Sequence, residues 1–301
     1  MEKKNRKSLL ADGALMLVAF IWGSGFPITK IALISFTPMF IMTVRFLGAF
    51  LLLAIIFRKH ITKLKKIEVI GGVISGIVLF GGFATQTLGL QYTTSSKQAF
   101  LTGTYVVMVP FFFWFVYKKL PDVFNIIAAV LTVIGIYLLS ITGGADFNKG
   151  DLLTLLCAVF FAAHILVVGY YVKKMHPITL TILQSGVAAI ISIIILIMTE
   201  PLPSQFDRNG ILSVLYLTVC STVIAYLIQN IAQKYTAESH VAIILSLEAV
   251  FGTLLSVLWL GDIFTIRMFL GCLIIFMGIL TAETKWSFIR KRFKSSSLDI
   301  K

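Results

Sequence analysis

The sequence predicts an all-α membrane protein, with ten transmembrane helices arranged as two inverted five-helix repeats. Three observations predict it. Apolar stretches of spanning length follow one another with short connections, cationic residues gather at alternate connections, and the two halves of the chain match in register. Of 301 residues, 58% are hydrophobic and 13% are charged. A soluble domain carries about a quarter charged residues. A water-soluble fold of this size could not cover so apolar a surface, whereas a bilayer suits it.

A helix needs about 20 apolar residues to cross the hydrocarbon core. That ruler places spans at 12–33, 38–57, 69–90, 98–117, 123–142, 151–172, 177–199, 211–233, 239–260 and 264–284. The basic N-terminus, Met1 to Lys7, is followed by no cleavage pattern, and the first apolar run is long enough to stay in the membrane. The connections leave no room for a soluble domain.

The net charge of +13 fits either nucleic acid or the membrane rule that places cations on the cytoplasmic side. Placement decides for the membrane. With the N-terminus inside, 20 of the 26 Lys and Arg fall at inside ends. Five (Lys30, Lys97, Lys149, Arg208 and Arg267) fall at outside ends, and Arg45 lies within a span. Both termini are therefore expected in the cytoplasm, the chain in the cell (inner) membrane of a bacterium, and no nucleic acid as a partner.

The repeat is read from two constant offsets. Asp12, Leu17, Ala19, Pro38 and Ala49 match Asp151, Leu156, Ala158, Pro177 and Ala188 at a shift of 139. Gln86, Tyr92, Thr93, Ala99 and Gly135 match Gln229, Tyr235, Thr236, Ala242 and Gly278 at a shift of 143. The units are 1–146 and 147–286, followed by a basic tail at 287–301. Five spans per unit oblige the second copy to enter from the opposite side, an arrangement by which carriers expose one midplane site to either face.

Polar residues inside spans are costly and mark a cavity or a helix contact. The first span carries Trp22 and Pro27, and the second carries Arg45. On the third, Ser75, Gly82, Gln86 and Gly89 share a stripe. There Gly72 and Gly76, four residues apart, read as close helix packing. The fourth holds Gln98, Thr102 and Tyr105 ahead of Pro110; the sixth holds Thr154, Cys157, His164 and Tyr171. On the seventh, Thr181, Gln184 and Ser185 cluster. On the eighth, Thr222, Tyr226, Gln229 and Gln233 follow helical spacing, and the ninth carries Glu248. Pro27 and Pro110 each read equally as a hinge or as a static kink. The fifth and tenth spans are mostly apolar and read as scaffold or homodimer surface.

The candidate substrate-binding residues are therefore Trp22, Arg45, Gln86, Thr102, Tyr105, His164, Gln184, Tyr226, Gln229 and Glu248. Arg45 suits a carboxylate or phosphate, while Glu248 can take a proton or an amine. The structural alternative is that Arg45 and Glu248 pair with each other or with backbone groups and fix the bundle. His164 could relay protons, but a lone histidine on a polar face is more often a hydrogen-bonding group. With Arg45, His164 and His240 set against Glu248, a weak excess of basic groups leans towards solutes with a carboxylate. Cys157, Cys220 and Cys272 form no disulfide or metal pattern.

The stretches "WGSGFPITK" (22–30), "RF" (45–46), "SSKQAFLTGTYVVMVP" (95–110) and "ESHVAIILSLEAVFGTLLSVLWLGD" (238–262) resemble the EamA-type branch of the drug/metabolite transporter superfamily. The resemblance spans nearly the whole chain. It implies ten helices around a central cavity and export or exchange of amino acids, other metabolites or drugs. In two places the chain departs from the pattern: Ala249 follows Glu248 where the family often has Pro, and Lys118 and Lys119 stand where it often has an acid.

The function expected is secondary transport of a small amino acid-like solute or drug, with proton coupling left open and no cofactor. No phosphate-cradling motif for ATP is present, nor an H-E-x-x-H or G-x-S-x-G motif for an intramembrane enzyme. A membrane-embedded regulatory or receptor subunit is the alternative.

Overall fold

The structure, a computed structural model, describes residues 2–118, 120, 123–140, 148–235, 238–263 and 265–284, and no strand occurs among them. The basic tail, Lys119 and the His240 side chain lie outside what is described. The helices are α1 (Glu2–Ser35), α2 (Pro38–Ile56), α3 (Lys66–Leu90), α4 (Ser95–Gly103), α5 (Tyr105–Tyr117), α6 (Val123–Ser140), α7 (Lys149–Tyr171), α8 (Pro177–Thr199), α9 (Arg208–Tyr216), α10 (Ala225–Gln233), α11 (Glu238–Leu260) and α12 (Ile266–Thr284). A π-helical segment, Leu217–Ile224, joins α9 to α10.

Seven stretches are long and apolar enough to cross a membrane: Leu10–Ser35, Pro38–Ile56, Lys66–Leu90, Ser95–Val116, Lys149–Tyr171, Pro177–Thr199 and Arg208–Gln233. Shorter apolar stretches, Ile126–Gly135, Ile244–Leu260 and Phe269–Gly278, lie in α6, α11 and α12. The chain is a multi-pass membrane protein.

Local sequence explains the helix starts. Pro38 and Pro177 occupy first-turn positions, where a missing N–H costs nothing. Asn148 caps α7 by accepting from the N–H groups of Gly150 and Asp151, while the Asp151 carboxylate accepts from the Asn148 N–H. Asp207 caps α9 through the Gly210 N–H. Burial is not what sets its carboxyl: that backbone bond, supported by Ser35, holds it below the ordinary carboxylate value.

The helix contacts exchange when the halves are exchanged. α1 packs on α11 as α4 and α5 pack on α7, and α3 meets α7 as α1 meets α9 and α10. α2–α8 and α6–α12 pair across the two halves. Two glycine sites on α3 permit close approach of α8. A Cβ on Gly72 would sit 2.3 Å from the Leu183 Cβ, and one on Gly76 would sit 2.5 Å from the Val187 Cβ. The small-residue spacing on α3 is therefore a seat for α8. Outside the bundle, large apolar side chains such as Ile55, Phe115, Ile197 and Leu258 stay exposed, as lipid contact requires.

At the end where α1, α3, α8 and α11 finish, four carboxylates tie one half to the other. Asp151 takes the Lys97 ammonium at 2.6 Å and the Thr93 hydroxyl at 2.9 Å. Glu200 accepts the Met39 N–H at 3.0 Å, and Asp207 accepts the Ser35 hydroxyl at 2.9 Å. Asp262 accepts both the N–H and the hydroxyl of Ser96, at 3.0 and 2.7 Å. Nearby, the Lys30 ammonium donates to the carbonyls of Leu90 and Thr93, closing the C-terminal end of α3 with a cation.

Candidate functional site

A cavity lies between the halves, about 590 Å³ of empty space when the part open to solvent is counted. Its wall is drawn from α1 (Trp22, Gly25, Phe26, Thr29), α2 (Arg45), α3 (Phe83, Gln86), α4 (Gln98) and α5 (Tyr105) on one side. α7 (Phe161, His164, Ile165), the π-segment (Ser221), α10 (Tyr226, Gln229) and α11 (Leu245, Glu248) supply the other. Among the described residues, none from α6 or α12 lines it.

Arg45 sits about halfway along α2 and is buried. Its Nε donates to the Thr222 hydroxyl at 2.5 Å and its Nη2 to the Ser221 hydroxyl at 2.8 Å. The guanidinium lies over the Phe83 ring, 4.0 Å from its centre, where the π-face favours a cation. Glu248, about halfway along α11, is also buried. The bridge that would join Arg45 to Glu248 is not formed.

Aromatic rings order the middle of the cavity. Trp22 donates its indole N–H to the Ser221 carbonyl at 2.9 Å and packs on Tyr226, centroids 5.0 Å apart. Tyr226 meets His164 edge-on at 5.8 Å. His164 is 3.2 Å from the Gln184 side-chain oxygen, so it is held as a hydrogen-bonding group.

Eight of the ten residues singled out in the sequence line this cavity: Trp22, Arg45, Gln86, Tyr105, His164, Tyr226, Gln229 and Glu248. Gln184 stands behind His164, and Thr102 is buried away from the cavity surface. A stripe specifies a helix face of about 100°, so a residue at its edge can point into a neighbouring helix instead. Tyr105 opens α5, just past the interruption at Thr104, whose hydroxyl bonds back to the Leu101 carbonyl at 2.6 Å. The break lies upstream of Pro110, in the turn preceding the carbonyl that a proline ring crowds.

Several lining residues escaped the sequence reading. Phe26, Phe83 and Phe161 carry no signal that separates a cavity-facing phenylalanine from the lipid-facing ones. Ser221 falls outside the α-helical stripe because the π-turn inserts an extra residue. Its only sequence signal is its place beside Thr222.

Several buried polar atoms in and around the wall have no hydrogen-bond partner: Gln98 Oε1, Gln184 Nε2, Gln229 Oε1 and the Ser185 hydroxyl. Leaving such a group unmet costs about 1–3 kcal/mol. A polar solute or water in the cavity would relieve Gln98 and Gln229.

The model of the EamA-like transporter family matches the chain twice, over residues 9–141 and 148–283. A protein of Archaeoglobus fulgidus named "Uncharacterized transporter" is 39% identical over 281 residues, covering 93% of this chain and 87% of its own. The "Uncharacterized transporter YvbV" of Bacillus subtilis is 25% identical, covering 94% of this chain and 93% of its own. A solved crystal structure superposes with a TM-score of 0.67 at 16% identity, over 92% of this chain and 99% of its own, a likeness of fold alone. The double match spans both halves of the register read from the sequence, and the chain belongs to the EamA-like transporter family.

Proposed function

We propose that the chain is a secondary transporter that moves a small, carboxylate-bearing, amino acid-like solute across the bacterial inner membrane by alternating access, as export or exchange. The observation that carries this reading is the cavity between the halves, lined by Arg45 and Glu248 about halfway along their helices and not joined to each other. Charges at that depth are expensive unless they serve a partner or a wet site. Arg45 suits the carboxylate and Glu248 the amine, while Trp22, Phe83, Phe161 and Tyr226 enclose an apolar body.

In this reading the three shorter apolar helices also cross, making ten spans in two inverted units, 1–146 and 147–286, with both termini in the cytoplasm. Family membership and relatives named as transporters support transport over a receptor or enzymatic role. The end tied by Asp151, Glu200, Asp207 and Asp262 is then the outward gate in its closed state, and the solute exchanges with the cytoplasm.

The test compares secreted and retained metabolites of deletion and overexpression strains, followed by flux of the responding solutes in proteoliposomes. A carboxylated solute should move with the wild type and be lost with Arg45→Gln. Retained flux in that variant would remove the Arg45 role. A purified chain that moves none of the responding solutes would defeat the reading.

A further inference from the structure

Arg45 reaches the cavity already held. Thr222 directs its own hydroxyl hydrogen to the Leu217 carbonyl at 2.8 Å, which leaves its oxygen free to accept from Arg45 Nε. Ser221 accepts from Nη2, and Phe83 supports the face of the guanidinium. A guanidinium has five N–H donors in a rigid plane. With two engaged, the donors left are both on Nη1 and the second on Nη2, the outer edge of the fork. Ser221 is itself pinned by the Trp22 indole through its carbonyl.

The comparison between the halves shows that these parts belong together. By the offsets of the repeat, Arg45 corresponds to Gln184, and Ser221 and Thr222 correspond to Val78 and Leu79. Val78 and Leu79 lie in α3, an uninterrupted α-helix. The arginine, both hydroxyls and the π-turn occur together at one interface between the halves and are missing together at the other. At the second interface Gln184 turns instead to His164 of its own half.

We infer that Ser221 and Thr222 are positioning residues: from the π-helical segment they fix the Arg45 plane so that its outer edge receives a planar carboxylate. The inference rests on the transporter reading above and deepens it. A lysine at position 45 would keep the charge but lose the plane, and an α-helical turn at 217–224 would move the two hydroxyls out of register with the fork.

Equilibrium binding of tritiated L-leucine and L-phenylalanine to the purified full chain, competed by the matching amides L-leucinamide and L-phenylalaninamide, tests this. Hydrogen bonds to a charged group are strong enough that losing both should weaken acid binding about tenfold or more. That loss is expected for Ser221→Ala with Thr222→Val, with the amides competing as in wild type. Thr222→Ser should behave as wild type. Arg45→Gln should lose as much acid affinity as the hydroxyl pair, and the triple variant no more than that. If the hydroxyl pair prevents folding, Ser221→Ala alone makes the comparison, again with an acid-selective loss. Unchanged acid affinity, or an equal loss of acids and amides, overturns the positioning role while leaving the transporter reading intact. A wild type that binds no acid, or does not favour acid over amide, overturns the Arg45 clamp and this inference with it.

Discussion

The Lys97 ammonium donates to the Asp151 carboxylate across 2.6 Å, joining the first turn of α4 to the first turn of α7 and so one half of the molecule to the other. Both side chains are buried. A buried pair of this kind contributes little net stability over an apolar pair, but losing one partner leaves a stranded charge. Lys97→Met is expected to destabilise the fold by about 3–5 kcal/mol. Adding Asp151→Asn should recover much of that loss, because the amide still meets Thr93 and Asn148. Thermal unfolding of the detergent-purified variants checks the cycle. A double variant as unstable as the single would show that charge is not the cause.

Orientation is tested from outside the cell. Cysteines placed at Lys63 and Lys118 should be shielded from an impermeant thiol reagent in intact cells, whereas those at Lys149 and Arg208 should react. The basis is the bias of basic residues toward one set of loops. The reverse pattern of labelling would invert the molecule and make the carboxylate-tied end cytoplasmic.

Gln86 and Gln229 occupy matched places in the two halves and both line the cavity. Gln86→Leu and Gln229→Leu should each lower transport about tenfold with near-normal protein levels, the scale expected when a hydrogen bond to a charged solute is lost. Low levels of folded protein without a specific transport defect would assign the two amides to helix packing.

His60 and His176 face each other across the halves at the opposite end of the bundle, ring centres 4.6 Å apart. His176 also caps α8, its Nδ1 accepting the Ile178 N–H at 3.3 Å. Burial first, then the positive neighbours His60 and Lys234, hold its pKa below the ordinary 6.5, with Glu68 opposing. The sign follows from linkage: the unfolded chain binds this proton before the folded one, so stability rises with pH through this window and falls as pH drops below about 6.5. Melting temperature should fall between pH 7.5 and 5.5 more steeply in wild type than in His176→Asn, which keeps a capping side chain. Parallel profiles would relieve His176 of any part in the acid response.

Composition and spacing by themselves determined that this chain is helical and membrane-embedded, and that its halves repeat. Those are local properties: an apolar stretch must satisfy its own backbone as a helix wherever it meets lipid, and a duplicated unit keeps its register, as with Asp12 and Asp151. A polar stripe likewise pointed to Tyr226 and Gln229, and a charge within a span to Glu248, because a polar group in a bilayer must face inward. Only the tertiary structure decided which groups meet. Arg45 could have paired with Glu248 but rests on Ser221 and Thr222, which lie more than 170 residues away. The π-turn that presents them, packed against α1 and α2, has no spacing signature. Phe83 and Phe161 line the cavity while Phe115 faces outward. Hydropathy is the same for all three, so only the packing of neighbouring helices can tell them apart.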